Sequence, residues 1–437
     1  MLPESFLACL VALEGCFTSP SYRRFITLMT GWVLHIGKHT VTGVMRAAGV
    51  VGRDEHSGYH RFFSAARWEP DEVGLVLMRL VLASLKATGR VTLSLDDTLA
   101  RHTGKHIASA GMHRDPLLST ASKPFWHFGH NWVVIAVVVE LPRWHKVYSL
   151  PVLMRLYRSE KVNQQLGITH KKRTELASEM LEQIAQAFPR RRFLVVADNA
   201  YVNRTLVRPL PKRIELIGRG RLDAALHAPA NPRRGRGRPA IRGRALRSPE
   251  QRAKRGRWTT LQVRIHHRVV HLEVQTFDAL WYRVGRERMM RFVLVRGWPG
   301  HSKFDVFAST DLHLDAAAVL QLYCLRWSIE ETFGWVKSKL GFEDPHNRTE
   351  RAVQRTAPMA LWAYSLVVLW YARWSEGRVH LPMRQAPWYD RKTIPSFADM
   401  LATLRRQSWS LWFSDLPHPT RFDQKSSPPW LDLVSYG

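Results

Sequence analysis

The sequence predicts a mixed α/β core whose sheet is flanked by helices, preceded by a helical N-terminal domain and interrupted by a β-rich insertion. Three observations carry this. Apolar residues recur at helical spacing in Phe6–Leu13, Phe25–Ile36 and Val73–Leu85. From Arg90 the texture changes to short strand-like runs at Val91–Asp96, His130–Glu140, Lys146–Tyr157, Arg192–Asp198 and Arg213–Gly218. A helical stretch from about Lys172 to Phe188 separates the third run from the fourth, and a further helix or turn leads to the fifth. Three strands, a helix, a strand and a helix–strand unit are the order a mixed sheet produces.

Taken in order, residues 1–88 form the helical domain. A short helix beginning near His39 ends at Gly49, and Arg46, His56, His60 and Arg61 place cations around it. Two readings stand for this region: a small DNA-binding domain, or a helical cap on the core. Residues 89–218 supply the first part of the core. The order then breaks at 219–309. Between Asn231 and Trp258 there are eleven Arg or Lys residues and one Glu, with Arg234-Gly-Arg-Gly-Arg238-Pro at the centre, and no apolar period survives. This is a basic loop. Strand signals return at Thr259–Ile265, Val269–Phe277, Arg291–Val295 and Asp305–Ser309. A long helix from about Leu314 to Leu340 completes the core within 310–348, and a Trp-rich helical region fills 349–437.

Composition narrows the function. At roughly 100–200 residues per domain, 437 residues give two to four domains. A hydrophobic share of 45% excludes disorder for most of the chain. Sixty-five Lys and Arg against 36 Asp and Glu leave a net charge of +29, a field that attracts polyanions, chiefly nucleic acid. Three cysteines, Cys9, Cys16 and Cys324, form no paired framework and fit a reducing cytoplasm. The N-terminus has Glu4 and no early basic cluster, unlike a signal peptide. The uncharged run Thr356–Ala372 is at the short edge of a membrane span, but Pro358 and flanking arginines favour a buried helix. No membrane partner is expected.

Three carboxylates stand out by position. Asp96 and Asp198 end the first and fourth core strands, where sites form in α/β sheets, and Glu330 lies on the long helix. Asp198 taken alone is equally a helix cap. Together the three acids offer hard oxygen ligands for Mg²⁺ or Mn²⁺. Two such ions about 4 Å apart activate a water or a 3′-hydroxyl and stabilise the leaving oxygen of a phosphodiester. With Tyr323 at zero and roughly 100° per residue, Arg326 falls near 300°, Glu330 near 340° and Lys337 near 320°. Glu331 falls near 80°, off that face. Arg326 and Lys337 beside a metal-holding Glu330 suit a DNA phosphate.

The spacing Tyr323-x-x-Arg326-x-x-x-Glu330-x-x-x-x-x-x-Lys337 resembles the Y-R-E-K signature of DDE transposases from bacterial insertion sequences. Leu95-Asp-Asp-Thr98, Val196-Ala-Asp-Asn-Ala-Tyr201 and Ser309-Thr-Asp-Leu also resemble that family, over about residues 90–345. The resemblance implies an RNase H-like catalytic domain holding two Mg²⁺ (or Mn²⁺) ions on Asp96, Asp198 and Glu330, with 219–309 as its β-rich insertion. It implies double-stranded DNA partners, namely terminal inverted repeats and target DNA, and a homodimer pairing two ends, near the nucleoid of a bacterial cytoplasm. Cleavage without strand transfer, or binding without cleavage, are the alternatives. Asp97 competes with Asp96, since a strand points neighbours to opposite faces.

Further DNA contacts are expected at Arg234, Arg236 and Arg238, in an Arg-Gly-Arg-Pro run suited to a narrow minor groove. A merely solvated basic loop is the competing reading. Trp298 is a candidate for stacking on an unpaired base, with packing as the alternative. His102, His106, His113 and Asp115 cluster loosely but lack zinc-ligand spacing.

Overall fold

In a computed structural model, the chain is described at residues 2–85, 89–104, 106–115, 118–120, 122–141, 143–230, 240–265, 268–298, 303–384 and 392–414. Five helices come first: α1 (Glu4–Val11), α2 (Ser19–Leu34), α3 (Val41–Ala47), α4 (Ser57–Ser64) and α5 (Pro70–Ser84). Then follow β1 (Val91–Arg101), β2 (Gly111–Arg114), β3 (Trp126–Leu141), β4 (Lys146–Tyr157), α6 (Glu160–Gln165), α7 (Arg173–Ala187), β5 (Phe193–Ala197), α8 (Arg204–Val207) and β6 (Ile214–Arg219). Next come β7 (Leu226–His227), β8 (Ala245–Leu246), α9 (Pro249–Arg255), β9 (Thr259–Ile265), β10 (Arg268–Leu280), α10 (Tyr282–Gly285), β11 (Met289–Arg296) and β12 (Asp305–Ser309). Helices α11 (Ala316–Cys324), α12 (Trp327–Lys339), α13 (Glu350–Trp374) and α14 (Phe397–Ser414) close the described chain.

The chain divides into two compact units. One comprises Met1–Ala87, Asp97–His170 and Glu330–Gly437; the other comprises Thr88–Asp96 and Lys171–Ile329. The fold is mixed α/β, with a large mixed sheet flanked by helices, as the sequence predicts.

In the second unit the first part of β1, β5 and β6 run parallel, and β12, β11, β10 and β9 continue antiparallel from β6. The strands expected as an insertion therefore extend the core sheet. Their inward positions explain why. Val263, Val274, Val293 and Phe307 share one buried cluster with Leu194, Val196 and Ile217, and α11 packs Val319 and Leu320 onto it. Every residue of β5 is buried, each large apolar side chain contributing about 1.5–3 kcal/mol.

The first unit is built around α13. From Thr356 to Tyr371 this helix is buried on all sides, and it packs on β4 and on α1, α2, α4, α5 and α14. The uncharged run Thr356–Ala372 is thus core, and no helix among the described residues is long and apolar enough to cross a membrane. Arg355, 2% exposed, donates to the carbonyls of Ala66 at 2.7 Å and of Trp68, and its guanidinium lies 4.7 Å from the Trp68 ring. Carbonyls of the loop between α4 and α5 are satisfied in this way. In the same unit β3 pairs antiparallel with β2 and β4.

Two expectations differ from the structure. β1 does not stop at Asp96 but runs to Arg101, because Thr98, Leu99 and Ala100 are again buried. The helix expected over Leu314–Leu340 is two helices. Leu325, Arg326, Ser328 and Ile329 donate their backbone N–H groups three residues back, not four, which tightens the chain and separates α11 from α12.

Candidate active site

Parallel pairing places the two strand acids. Leu95 pairs with Ala197 at the last register position between β1 and β5. Asp96 and Asp198 are the next residues on each strand, so both carboxylates stand at the C-terminal end of the paired stretch, on strands normally about 4.8 Å apart. On the other side of β5, Ala197 pairs with Gly218. A Cβ at residue 218 would come within 2.4 Å of the Val202 side chain and 3.0 Å of the Ala197 carbonyl, so glycine permits the chain after Asp198 to pack closely there.

Asp198 precedes the short turn Asn199–Tyr201 but makes no side-chain cap there. Asp96 instead receives Arg326: Nη1 donates to Oδ2 at 2.7 Å, with the two side chains only 14% and 17% exposed. A charge-assisted bond of this kind is shorter and stronger than a neutral one.

Tyr323 is 8% exposed and packs against Phe307, ring centres 4.7 Å apart, while the Arg326 guanidinium lies 5.8 Å from its ring. Burial pushes the Tyr323 phenol up to about 12; Asp198 adds to this, and Arg326 and Arg219 oppose it. Tyr323 is therefore neutral at physiological pH. Arg219 ends β6 and pairs with Asp305. Sequence reading did not single out Arg219; its signal was its place one residue after the Gly218 that pairs beside Ala197.

Glu330 and Lys337 belong to the first unit. Both lie on α12, Glu330 in its first turn and Lys337 in its last, seven residues apart and therefore on one face. The angular relation of Tyr323 and Arg326 to Glu330 does not carry through the break between α11 and α12. Glu331 is engaged otherwise, 3.3 Å from Lys146. Lys337 donates to the Leu99 carbonyl at 2.7 Å and stands 3.7 Å from Glu343. Burial lowers its pKa, with Glu343 opposing. Asp97 accepts from Asn131 Nδ2 at 3.1 Å. The neighbouring acids of β1 thus have different partners, as alternation requires.

The remaining expectations fall elsewhere. Trp298 is partly buried against the core cluster, its ring 5.0 Å from Phe307. Arg234, Arg236 and Arg238 lie outside the described residues. Of the loose histidine cluster, His102 pairs with His130 at 3.0 Å, and His130 contacts the Ala108 carbonyl at 2.8 Å. Asp115 is buried between Arg101 at 2.6 Å and His127 at 3.1 Å.

Among the described residues, no three His, Cys, Asp or Glu side chains are grouped to hold a metal ion. The strand-end donors are nevertheless of the right chemistry: carboxylate oxygens suit Mg²⁺ and Mn²⁺.

The sheet thus presents two acids at neighbouring parallel strand ends, in a strongly basic chain. The sequence profile of DDE superfamily endonucleases matches residues 12–283, more than half of the chain and including Asp96 and Asp198. The chain belongs to that family. Its members generally use divalent metal ions. A cryo-EM structure of the piggyBac transposase synaptic complex with hairpin DNA aligns with 96% of this chain and 76% of its own, at 12% identity and a TM-score of 0.43. No curated protein matches the chain.

Proposed function

We propose that the chain is a transposase with an RNase H-like catalytic core, cutting DNA at the ends of a bacterial insertion sequence and joining the freed 3′-hydroxyl to target DNA. The observation that carries this reading is the paired placement of Asp96 and Asp198 after the last register position of β1 and β5. Asp96 and Asp198, with Glu330, would hold two Mg²⁺ or Mn²⁺ ions, which when bound supply Lewis-acid activation of the attacking oxygen and stabilisation of the leaving one. Asp96 is preferred to Asp97 because it shares the sheet end with Asp198.

Arg326 and Lys337 are the cations that would orient a phosphate. Tyr323 holds the Arg326 guanidinium in place. Arg234, Arg236, Arg238 and Trp298 are assigned to wider DNA contact on sequence grounds. The acting form is a homodimer on paired terminal inverted repeats, in the nucleoid. Incubation with Mg²⁺, labelled element ends and a target plasmid should give cut ends and joined product, both abolished in Asp198→Asn. Cutting without joining would make the protein a nuclease. Binding without cutting would make it an inactive relative.

A further inference from the structure

In the first unit, the β2–β3 hairpin turns apolar side chains to solvent. Trp126 is 56% exposed, Met112 52%, Leu118 47% and Phe125 39%. Four of the fourteen large apolar side chains exposed among the described residues thus fall within residues 112–126. Such a cluster marks an interaction surface, whereas scattered single residues need no explanation. Register gathers part of it on one face. Arg114 pairs with Trp126, and Met112 with Phe128. Cross-strand partners stand on the same side of an antiparallel pair, and residues two apart share a face. One face therefore carries Met112, Arg114, Trp126 and the half-buried Phe128. His113 and His127 pair on the other, where His127 lies 3.1 Å from the buried Asp115.

Hydrogen bonds hold the tip in shape. The Asp115 carboxylate accepts from Arg101 at 2.6 Å and from the Leu118 N–H at 3.3 Å, and the Asp115 N–H donates to the Phe125 carbonyl at 2.8 Å. The Phe125 N–H donates to Ser119 Oγ at 2.9 Å, and the Lys123 N–H to Thr120 Oγ1 at 3.0 Å. At the root, the His102 N–H donates to the Phe128 carbonyl at 2.9 Å. A Cβ at Gly129 would stand 2.0 Å from the Ala100 carbonyl, so only glycine lets β3 lie this close on β1. Polar bonds rather than apolar packing fix the tip, which leaves its rings available to a partner.

Charge selects the partner. Among residues 111–128 the only acid is Asp115, which is 2% exposed and paired with Arg101. Arg114 and Lys123 are exposed. Their contacts are to neutral groups: Arg114 donates to the Thr120 carbonyl at 3.4 Å, and the Lys123 ammonium lies 5.3 Å from the Phe125 ring. Cations interleaved with flat rings, with no exposed acid, fit a polyanion whose bases have π-faces, which is nucleic acid. A second copy of this chain, at a net charge of +29, would bring like charge. Trp126 is open to such a base, whereas Trp298 packs on Phe307. We infer that the hairpin is a DNA-stacking surface, in which Trp126 stacks on an unpaired base and Arg114 and Lys123 take neighbouring phosphates. The inference rests on the DNA-processing function proposed above.

The test is binding by the full chain, read by fluorescence anisotropy, of a DNA duplex with a short single-stranded overhang and of the same duplex with an abasic overhang. The two carry the same phosphates, so their difference reports the bases. The wild type should bind the base-bearing overhang about tenfold more tightly, toward the lower end of what one base–aromatic stack contributes. Trp126→Ala should abolish that difference and keep the salt dependence, and Trp126→Phe should retain most of the difference. Arg114→Ala/Lys123→Ala should keep the difference and flatten the slope of log K against log salt by about 0.7 for each single-strand phosphate no longer neutralised. Thermal melting of each variant separates binding from folding. A wild type indifferent to the bases, or a folded Trp126→Ala that keeps the difference, overturns the inference while leaving the proposed function standing. A Trp126→Ala variant altered only in the sedimentation of the DNA-free chain would make the patch an interface between copies and overturn it likewise. A wild-type chain that binds neither duplex overturns the inference and the proposed function together.

Discussion

The ends of β1 and β5 are equivalent by register and unequal by charge. Asp96 and Asp198 each follow the last paired residue of a parallel ladder. Yet Asp96 carries the Arg326 guanidinium at 2.7 Å, while Asp198 faces a neutral Tyr323 phenol and makes no cap. Equivalent backbone geometry has been given two electrostatic settings. The difference teaches that the sheet sets where the acids stand, whereas α11 and the turn after it set how each is compensated. A carboxylate beside a neutral phenol rather than a guanidinium gains more from a bound cation, so under the proposed function Asp198 would bind the ion more strongly than Asp96.

The largest effect should come from Asp198→Asn. Loss of this proposed metal ligand should lower Mg²⁺-dependent cleavage by more than the 10–100-fold typical of outer-shell positions, with DNA binding retained. Retained cleavage would break the comparison at its first step. Asp96→Asn should match that loss. Asp97→Asn should cost far less, because Asp97 is held by Asn131, where an amide still forms a hydrogen bond. Parallel rates for the three variants decide which neighbour belongs to the site; a larger loss at Asp97 would reverse the assignment.

The apolar pattern made most of the sheet legible. β9 and β12 have the bounds that strand runs alone predict, since buried and exposed positions alternate or stay apolar throughout. β1 was legible only to Asp96, because two adjacent acids look like a strand end although the burial resumes at Thr98. The break at Leu325–Arg326 was illegible. It contains no proline or glycine, and it appears only in the backbone hydrogen bonds. For the same reason Glu330 was picked out by spacing, while the partner of Arg326 was not: an ion pair across 230 residues leaves no local pattern. Arg219 was missed because it has no period of its own and takes its meaning from Asp305 and Tyr323.

A smaller effect concerns the burial of histidines. Burial lowers His102 to about 4 and His130 to about 3, with neighbouring histidines adding to the shift. Between about pH 4 and the ordinary histidine value of 6.5, the unfolded chain binds more protons at His102 than the folded chain does. Stability should therefore rise with pH across this window and be lost as pH falls through it. Urea midpoints measured across that range should show the slope. His102→Gln, which keeps a polar group beside His130 but cannot titrate, should flatten it. An undiminished slope in this variant would place the acid sensitivity elsewhere.

The smallest effect should distinguish the two strand ends most sharply. If Arg326 compensates Asp96 in the protein without DNA, a divalent ion must compete with the guanidinium for the same carboxylate. Arg326→Ala should then bind Mn²⁺ about fivefold more tightly, at the lower end of ordinary site–site coupling, as read by calorimetry without DNA. Cleavage should fall in the same variant, because the cation proposed to orient the phosphate is gone. The same substitution made on Asp96→Asn should leave Mn²⁺ affinity unmoved, since the competition has lost its object, and that non-additivity isolates the pair from any general loss of positive charge. Equal gains in both backgrounds would mean that Arg326 acts on the whole field of the site. The difference between Asp96 and Asp198 would then be one of packing rather than of charge.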